Sequence, residues 1–412
     1  MKNNVNQIKD CEVCGNDKLQ AVLDLGLHPM CDDLVEVSDS RVCKDYPIEI
    51  LYCHKCRTAH QKYQVPKHEL FPITYHYRAR FTADVLDGMK GLVDSCEEQF
   101  GSLSGKKVLD IGCNDGSLLN FFRDKGAKTI GIEPTGACED AIKNGHDAIC
   151  DYLSEDIANE VISKFGKPDL ITFTNVFAHI EDLKGVLNSL NILKHDDTKI
   201  IIENHYLGAV LSGNQFDTFY HEHPRTYSFT SFKFMAKTLD LGIERLEFPS
   251  RYGGNIRVFI GNGDKFFSDI DMHKLESTEE KFFNDFQQLN ENIQLWLKSK
   301  KEEINNLIEK YGKIHAKAFP GRAAILVKML NLDSSTISKV YEKPGSLKIG
   351  HYLPGTRIPI HSDDELINST DLDLPILNLA WHISDEIESY LRNNNFKGKI
   401  VHVLARNDFK DS

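Results

Sequence analysis

The sequence has no run of apolar residues approaching the ~20 needed to cross a bilayer, and its opening, MKNNVNQIKD, lacks the apolar core that marks a secretory leader. It has no internal repeat and no low-complexity segment. It is also short of positive charge: 49 Lys and Arg face 61 Asp and Glu, for a formal net charge of -12. Such a field repels phosphate backbones and anionic lipid, so neither nucleic acid nor a membrane is an expected partner. These absences leave a cytoplasmic globular protein, expected as a monomer or small homo-oligomer. Its 412 residues suffice for two or three domains, and a hydrophobic content of 41% supplies their cores.

Ten cysteines are present. In a reducing compartment they are expected to be metal ligands or buried thiols rather than disulfides. Cys11, Cys14, Cys53 and Cys56 form two CxxC knuckles, "CEVCG" and "YCHKC". Two such knuckles can close a tetrahedron of thiolates around zinc, and four protein ligands leave no open position, so the metal is expected to be structural. Cys31 and Cys43 have no partner of matching spacing and read as ordinary thiols, while His54 and His60 are weaker ligand candidates.

"KKVLDIGCNDGSLLNFFRDKG" runs from a polar start through an apolar strand and a glycine turn into an amphipathic helix. Gly112 and Gly116 let the backbone approach a ligand at the helix N-terminus, and Asp110 closes the strand beside them. A second strand, "KTIGIEP", ends in Glu133 and Pro134; its carboxylate can accept both hydroxyls of a ribose. The GxNDG spacing does not match the GxGxxG that brings a pyrophosphate onto the helix, and suits S-adenosylmethionine instead, with Asn114 and Asp115 in the loop. The strand in "PDLITFTNVFAHIED" ends in Asn175 and leads to His179, a candidate wall of the methyl-transfer pocket, while Asp151 is a candidate for the adenine amine.

The next strand, "TKIIIENHYLGAVL", places Glu203 at its C-terminal end, where open α/β sheets bind ligands. The loop "DTFYHEHPRTYS" follows closely and should cover the same crevice. Methylation at carbon needs a base for an acidified C–H and donors for the enolate oxygen. His223 or Tyr220 can take the proton; Tyr220, His221 or His179 can donate to the enolate; Glu222 can orient a histidine or hold a sugar hydroxyl. The same groups could equally stitch two domains together.

The double CxxC with "VLDLGLHP", then "VLDIGCNDGSLL", "GIEPTG", "FDTFYHEH", "YGGNIRVF" and "KIGHYLPGTRIPI" stand in the order found in sugar C-methyltransferases. Over nearly its whole length the chain resembles the nucleotide-linked ketosugar C-3 methyltransferases of deoxysugar biosynthesis. The resemblance implies an α/β protein: a central class I methyltransferase (Rossmann-like) domain at 76–265, flanked by a zinc-binding domain at 1–75 and a C-terminal α/β domain at 313–412. It also implies that Tyr220, Glu222, His223 and His179 line the active site, with His223 the leading base, and that a tyrosine of "ITYHYRA", Tyr77 in preference to Tyr75, faces the sugar. The implied substrate is a 4-keto-6-deoxysugar carried on thymidine or guanosine diphosphate. Arg322 stands where many relatives have lysine, and Arg357 where they have histidine, which bears on the sugar and nucleotide rather than on the reaction. Two alternatives are O- or N-methylation of a sugar or small metabolite on the same scaffold, and a non-catalytic protein binding zinc and S-adenosylmethionine.

Phe282, Phe286, Leu289, Ile293, Leu297, Ile304 and Ile308 form a helical stripe, so residues 266–312 read as a long connecting helix. Beyond it, "STISKVY", "LPILNLAW" and "KGKIVHVL" alternate with other segments in the manner of a small parallel sheet. Arg322, Lys348, Tyr352, Arg357 and His361 are its candidate substrate contacts.

Overall fold

The computed structural model describes residues 5–73, 75, 77–263, 266, 269–369 and 372–409. Near the N-terminus, β1 (Leu19–Pro29), β2 (Asp45–Cys53) and β3 (Thr58–Gln61) form an antiparallel meander, with both CxxC knuckles at one end. A chain crossing at residues 62–82 leads to α1 (Ala83–Phe100), which buries Val85, Met89, Leu92, Val93 and Cys96 and ends at Gly101 with a left-handed φ of 73°.

The central sheet holds β4 (Lys107–Ile111), β5 (Lys128–Ile132), β6 (Asp147–Ile149), β7 (Leu170–Thr174) and β8 (Lys199–His205), all parallel. Strands such as "KVLDI" and "LITFT" are apolar on both faces, because helices cover both sides of a doubly wound sheet. Crossover helices α2 (Ser117–Asp124), α3 (Ala137–Lys143), α4 (Glu155–Phe165) and α5 (Leu183–Leu193) supply that cover. The short β9 (Arg225–Thr226) leaves this sheet alone and pairs instead with β3, adding a fourth strand to the N-terminal meander. After α6 (Phe229–Thr238), β10 (Gly242–Glu247) and β11 (Asn255–Gly261) return antiparallel, for an order β10-β11-β8-β7-β4-β5-β6.

A short helix, Met272–Glu279, precedes α7 (Phe282–Tyr311), so the connector is two helices rather than one. Phe282, Phe286, Leu289, Ile293, Trp296, Ile304 and Leu307 are its buried face; Trp296 replaces Leu297 at the centre of the expected stripe. The C-terminal sheet is wholly parallel: β12 (Ile314–Lys317), β13 (Ile337–Glu342), β14 (Ile360–Ser362), β15 (Ile376–Asn378) and β16 (Ile400–His402), ordered β14-β13-β12-β15-β16. Helix α8 (Ala323–Met329) follows β12 and starts at Arg322. No helix among the described residues is long and apolar enough to cross a membrane.

Cys138 and Cys150 form a disulfide, contrary to the expectation that no cysteine pairs this way. The first opens α3 and the second follows β6, and the crossover that joins them brings their Cα atoms to 5.6 Å.

Candidate active site

The sulfurs of Cys11, Cys14, Cys53 and Cys56 all lie within 4.8 Å of one another. The Cys11–Cys56 and Cys14–Cys53 separations are 3.3 and 3.6 Å. A tetrahedral tetrathiolate zinc with bonds of ~2.3 Å has an edge of about 3.8 Å, so the donor set fits zinc. Four protein ligands fill the tetrahedron, and zinc here is structural. His60 stands outside the ligand set: its Nε2 lies 3.3 Å from the Cys11 sulfur while Nδ1 faces Glu12 at 3.6 Å. His54 bonds Gln20.

The residues expected to hold the cofactor gather at the C-terminal edge of the central sheet. Gly112, Asn114 and Gly116 have φ of 72°, 50° and 79°. A side chain at Gly112 would strike Val176, and one at Gly116 would strike His146, so the turn closes only with glycine. Glu133 accepts the amides of Asn114 (3.0 Å) and Thr135 (2.9 Å), which ties the ends of β4 and β5 together beside Pro134. Asp115 is fully buried and accepts from Ser117 and from the Arg80 amide, while Asn114 bonds the backbone of Tyr77 and Ala79. Both side chains thus hold the crossing segment down over the loop. Asp110 accepts a 2.6 Å bond from Thr172, and burial, aided by Glu133, pushes its carboxyl up to about 7. Thr174 Oγ1, at the end of β7, is buried without a hydrogen-bond partner among the described residues, and Asn175 follows it with φ of 55°. A crevice with two buried acids and an orphaned hydroxyl suits a cationic, hydroxyl-bearing ligand, which S-adenosylmethionine is. Asp151 is exposed and accepts its neighbour's amide.

Glu203 lies within β8, which continues to His205. It is fully buried and engaged by Arg257 at 2.7 Å, Arg251 at 3.3 Å and Asn255 at 2.9 Å, a framework role. His205 is what reaches the crevice.

There the loop residues converge. The ring centroids of Tyr220, His179 and His205 lie 4.2, 4.9 and 5.3 Å from that of His223. His223 Nδ1 donates to the Thr218 carbonyl at 2.9 Å; a carbonyl only accepts, so Nδ1 carries the hydrogen and Nε2 keeps its lone pair. His179 Nδ1 likewise donates to the Glu222 carbonyl at 2.7 Å. Burial holds His179, His205 and His223 neutral, and it pushes the Tyr220 phenol and the Glu222 carboxyl up, the latter with help from Asp32. Glu222 and Tyr75 line a cavity of about 230 Å³ with Asp32, Asp33 and Arg41. The structure therefore brings Tyr75 to Glu222, whereas Tyr77 is 41% exposed. His221 faces away, donating to the Tyr46 carbonyl of β2 at 3.1 Å.

Arg322 meets the same loop: its Nε lies 3.3 Å from Asp217, its Nη1 3.2 Å from the Thr218 hydroxyl, and its plane 4.8 Å from the Trp381 ring. Trp381 Nε1 donates to the same Asp217 oxygen at 2.8 Å, and His382 follows it. The other C-terminal candidates are engaged elsewhere. Arg357 donates to the carbonyls of Asp39, Ser40 and Arg41 and stacks on Tyr352, whose hydroxyl donates to the Val37 carbonyl. Lys348 donates to the Phe319 carbonyl at 2.6 Å, and His361 pairs with Glu365. Sequence reasoning missed Asp217 as a binding partner, Thr218, His205, Asp32, Trp381 and His382; the richness of polar groups around 217–223 is a signal for the first two alone.

Three family models match in succession: a zinc binding domain at 11–71, a methyltransferase domain at 85–246 and a C-methyltransferase C-terminal domain at 250–404. The C-methyltransferase NovU of Streptomyces niveus is 26% identical over 403 residues, covering 94% of this chain and 93% of NovU. A ubiquinone biosynthesis O-methyltransferase of Escherichia coli (strain K12 / DH10B) is 30% identical over 97 residues, 22% of this chain and 40% of that protein. Among solved structures, the PH0226 protein from Pyrococcus horikoshii OT3 aligns with a TM-score of 0.37 and 15% identity over 48% of this chain and 98% of its own. Magnesium protoporphyrin IX methyltransferase from Synechocystis PCC 6803 aligns with a TM-score of 0.35 and 16% identity over 44% and 84%. Sheet, crevice and matched domains together define an S-adenosylmethionine-dependent methyltransferase with a structural zinc site. Within that class, the matched C-terminal domain and the likeness to NovU over nearly the whole length define a C-methyltransferase with this three-domain arrangement.

Proposed function

We propose that this enzyme methylates C-3 of a nucleotide-linked 4-keto-6-deoxysugar, borne on thymidine or guanosine diphosphate, in cytoplasmic deoxysugar biosynthesis. When bound, S-adenosylmethionine supplies the electrophilic methyl group. The observation that carries the reading is the tautomer of His223, whose Nδ1–H is spent on the Thr218 carbonyl and whose Nε2 is left as a proton acceptor. His223 takes the proton from C-3, made acidic by the neighbouring ketone, and the electron pair moves onto the C-4 oxygen. Tyr220 stays protonated in its buried setting and donates to that oxygen, so it is the donor and His223 the base. Glu222, kept neutral by burial and by Asp32, works with Tyr75 in the adjoining cavity to grip sugar hydroxyls. Methylation at oxygen or nitrogen needs less: at most a base for the O–H or N–H, and no donor for an enolate oxygen.

His223→Asn should keep cofactor affinity and lose roughly 10²- to 10⁴-fold in turnover, the usual worth of a positioned base. Mass spectrometry of products from a panel of freshly made nucleotide-linked 4-ketosugars checks both substrate and loss; undiminished turnover in the variant removes His223 from the mechanism.

A further inference from the structure

Arg322 looks at first like a grip for the substrate's diphosphate, since a guanidinium can hold a phosphate with two parallel bonds. Its surroundings argue otherwise. Such a grip uses two adjacent nitrogens, and each edge of this guanidinium already has one nitrogen engaged: Nε with Asp217 and Nη1 with the Thr218 hydroxyl. Nη2 alone is left, buried and without a hydrogen-bond partner among the described residues, in a side chain 8% exposed. Trp381 fixes the plane from one face while also donating to Asp217. A guanidinium so held leaves Nη2, with its two N–H bonds, aimed in one direction.

That direction is set by Thr218. Its hydroxyl receives Arg322 and its carbonyl receives His223, so a single residue sets the spacing between a fixed cation and the imidazole. The other candidate donors are committed: His179 to the Glu222 carbonyl and His221 to the Tyr46 carbonyl. We propose that Arg322 is a catalytic residue, whose Nη2 donates with Tyr220 to the C-4 oxygen as negative charge develops there, rather than an anchor for the diphosphate. The assignment rests on the carbon-methylation reading above. The C-3–H bond breaks, its proton goes to His223 Nε2, and its electrons form the C-3–C-4 double bond and the C-4 oxyanion. The C-3–CH3 bond then forms as the donor's S–CH3 bond breaks, the ketone is restored, and the proton leaves for solvent. Arg322 opposes a proton on His223, alongside His179 and His205. The oxyanion formed in the same step supplies the compensating negative charge, which makes base and guanidinium act together.

The test compares wild type, Arg322→Lys and Arg322→Met with the ketosugar nucleotide in deuterated solvent, without methyl donor, following exchange at C-3. Turnover and KM are then measured with the donor, and binding of thymidine and guanosine diphosphates is titrated separately. The expected result is wild-type exchange, a loss of roughly a hundredfold or more in both exchange and kcat for the methionine variant, and a smaller loss for lysine. KM and nucleoside diphosphate affinity should stay within about threefold, because an interaction made only in the transition state leaves binding alone. Exchange and kcat preserved in either variant, with KM or diphosphate affinity weakened tenfold, overturns the assignment while leaving carbon methylation intact. If the methionine variant no longer binds S-adenosylmethionine, the lysine variant decides by the same split. Absence of exchange in wild type overturns the carbanion reading itself, and the role of Arg322 with it.

Discussion

Asp110 sits between the hydroxyl of Thr172 and the carboxylate of Glu133, out of water, and its carboxyl is pushed up to about 7. A cation placed in the crevice favours the ionised form, so cofactor binding near neutral pH should release up to one proton. Affinity for S-adenosylmethionine should rise as pH increases through 7 and then level off, while S-adenosylhomocysteine, which lacks the sulfonium charge, shows a weaker trend. Calorimetry in two buffers of different ionisation enthalpy measures the released proton, and Asp110→Asn should abolish it. At this scale the sequence is readable where chemistry and local geometry coincide: the glycine turn, the two strand-end acids, the clustered loop. It is not readable where a role depends on distant chain. Asp217 and Trp381 are paired across 164 positions, and no local pattern announces that pairing. Tyr75 and Tyr77 alternate in one short segment, and only the cavity wall distinguishes them. His205 was hidden because β8 extends two residues past Glu203.

Among elements, β9 is the one that ties metal to chemistry. It immediately follows the 217–223 loop and pairs with β3, Arg225 opposite His60 and Thr226 opposite Ala59. The Gln61 amide donates to the Pro224 carbonyl, and its side chain donates to the carbonyls of Phe219 and Tyr220. Ser228 and Ser231, the capping box of α6, both donate to the carbonyl of the zinc ligand Cys56, and Arg225 pairs with Glu12 at 2.6 Å. Removing zinc with a chelator should therefore cost roughly a hundredfold in turnover through loss of loop position, about what a 1 Å misplacement costs. Cofactor affinity should stay near normal, because the crevice is built on the central sheet; parallel activity and binding titrations check this. The parallel strands and the zinc knuckles are legible because each is a continuous local pattern. Strand β9 is not, since two residues carry no periodicity and their partner is far away in sequence. The break between Glu279 and Phe282 is likewise masked by one apolar stripe running into the longer helix.

The molecule as a whole keeps its histidines neutral at the junction of three domains. His179, just beyond β7, and His205, at the end of β8, come from the central domain, His221 and His223 from the loop, and His382 from the C-terminal domain. Burial depresses all five, to about 4 for His221, about 3 for His205 and about 2 for His382. As pH falls below ~6.5 the unfolded chain takes up protons at these side chains before the folded one does, so stability falls with acidification, by up to about 1.4 kcal/mol per pH unit for each histidine still neutral in the folded state. Asp110, Asp217 and Glu222, raised by burial, act in the opposite sense and reduce the slope. Thermal unfolding at pH 7.5, 6.0 and 5.0 should show a descending Tm; a rise on acidification would contradict the buried cluster. The α/β class and its zinc-binding flank are legible from motif order. How the domains interlock is not, because the Arg357 clasp onto residues 39–41 joins two exposed-looking loops through backbone carbonyls that any sequence would offer.

The shared sheet also imposes a timetable on biosynthesis. As the chain leaves the ribosome, the cysteine-bearing module can bind its ion early, yet β3 keeps a bare hydrogen-bonding edge until Arg225 and Thr226 arrive more than 160 residues later. The nascent protein must carry that sticky margin through synthesis of most of the cofactor domain. When the margin is finally covered, the same event sets His223, the proposed base, in place, so maturation of the metal module and assembly of the 217–223 loop are completed together.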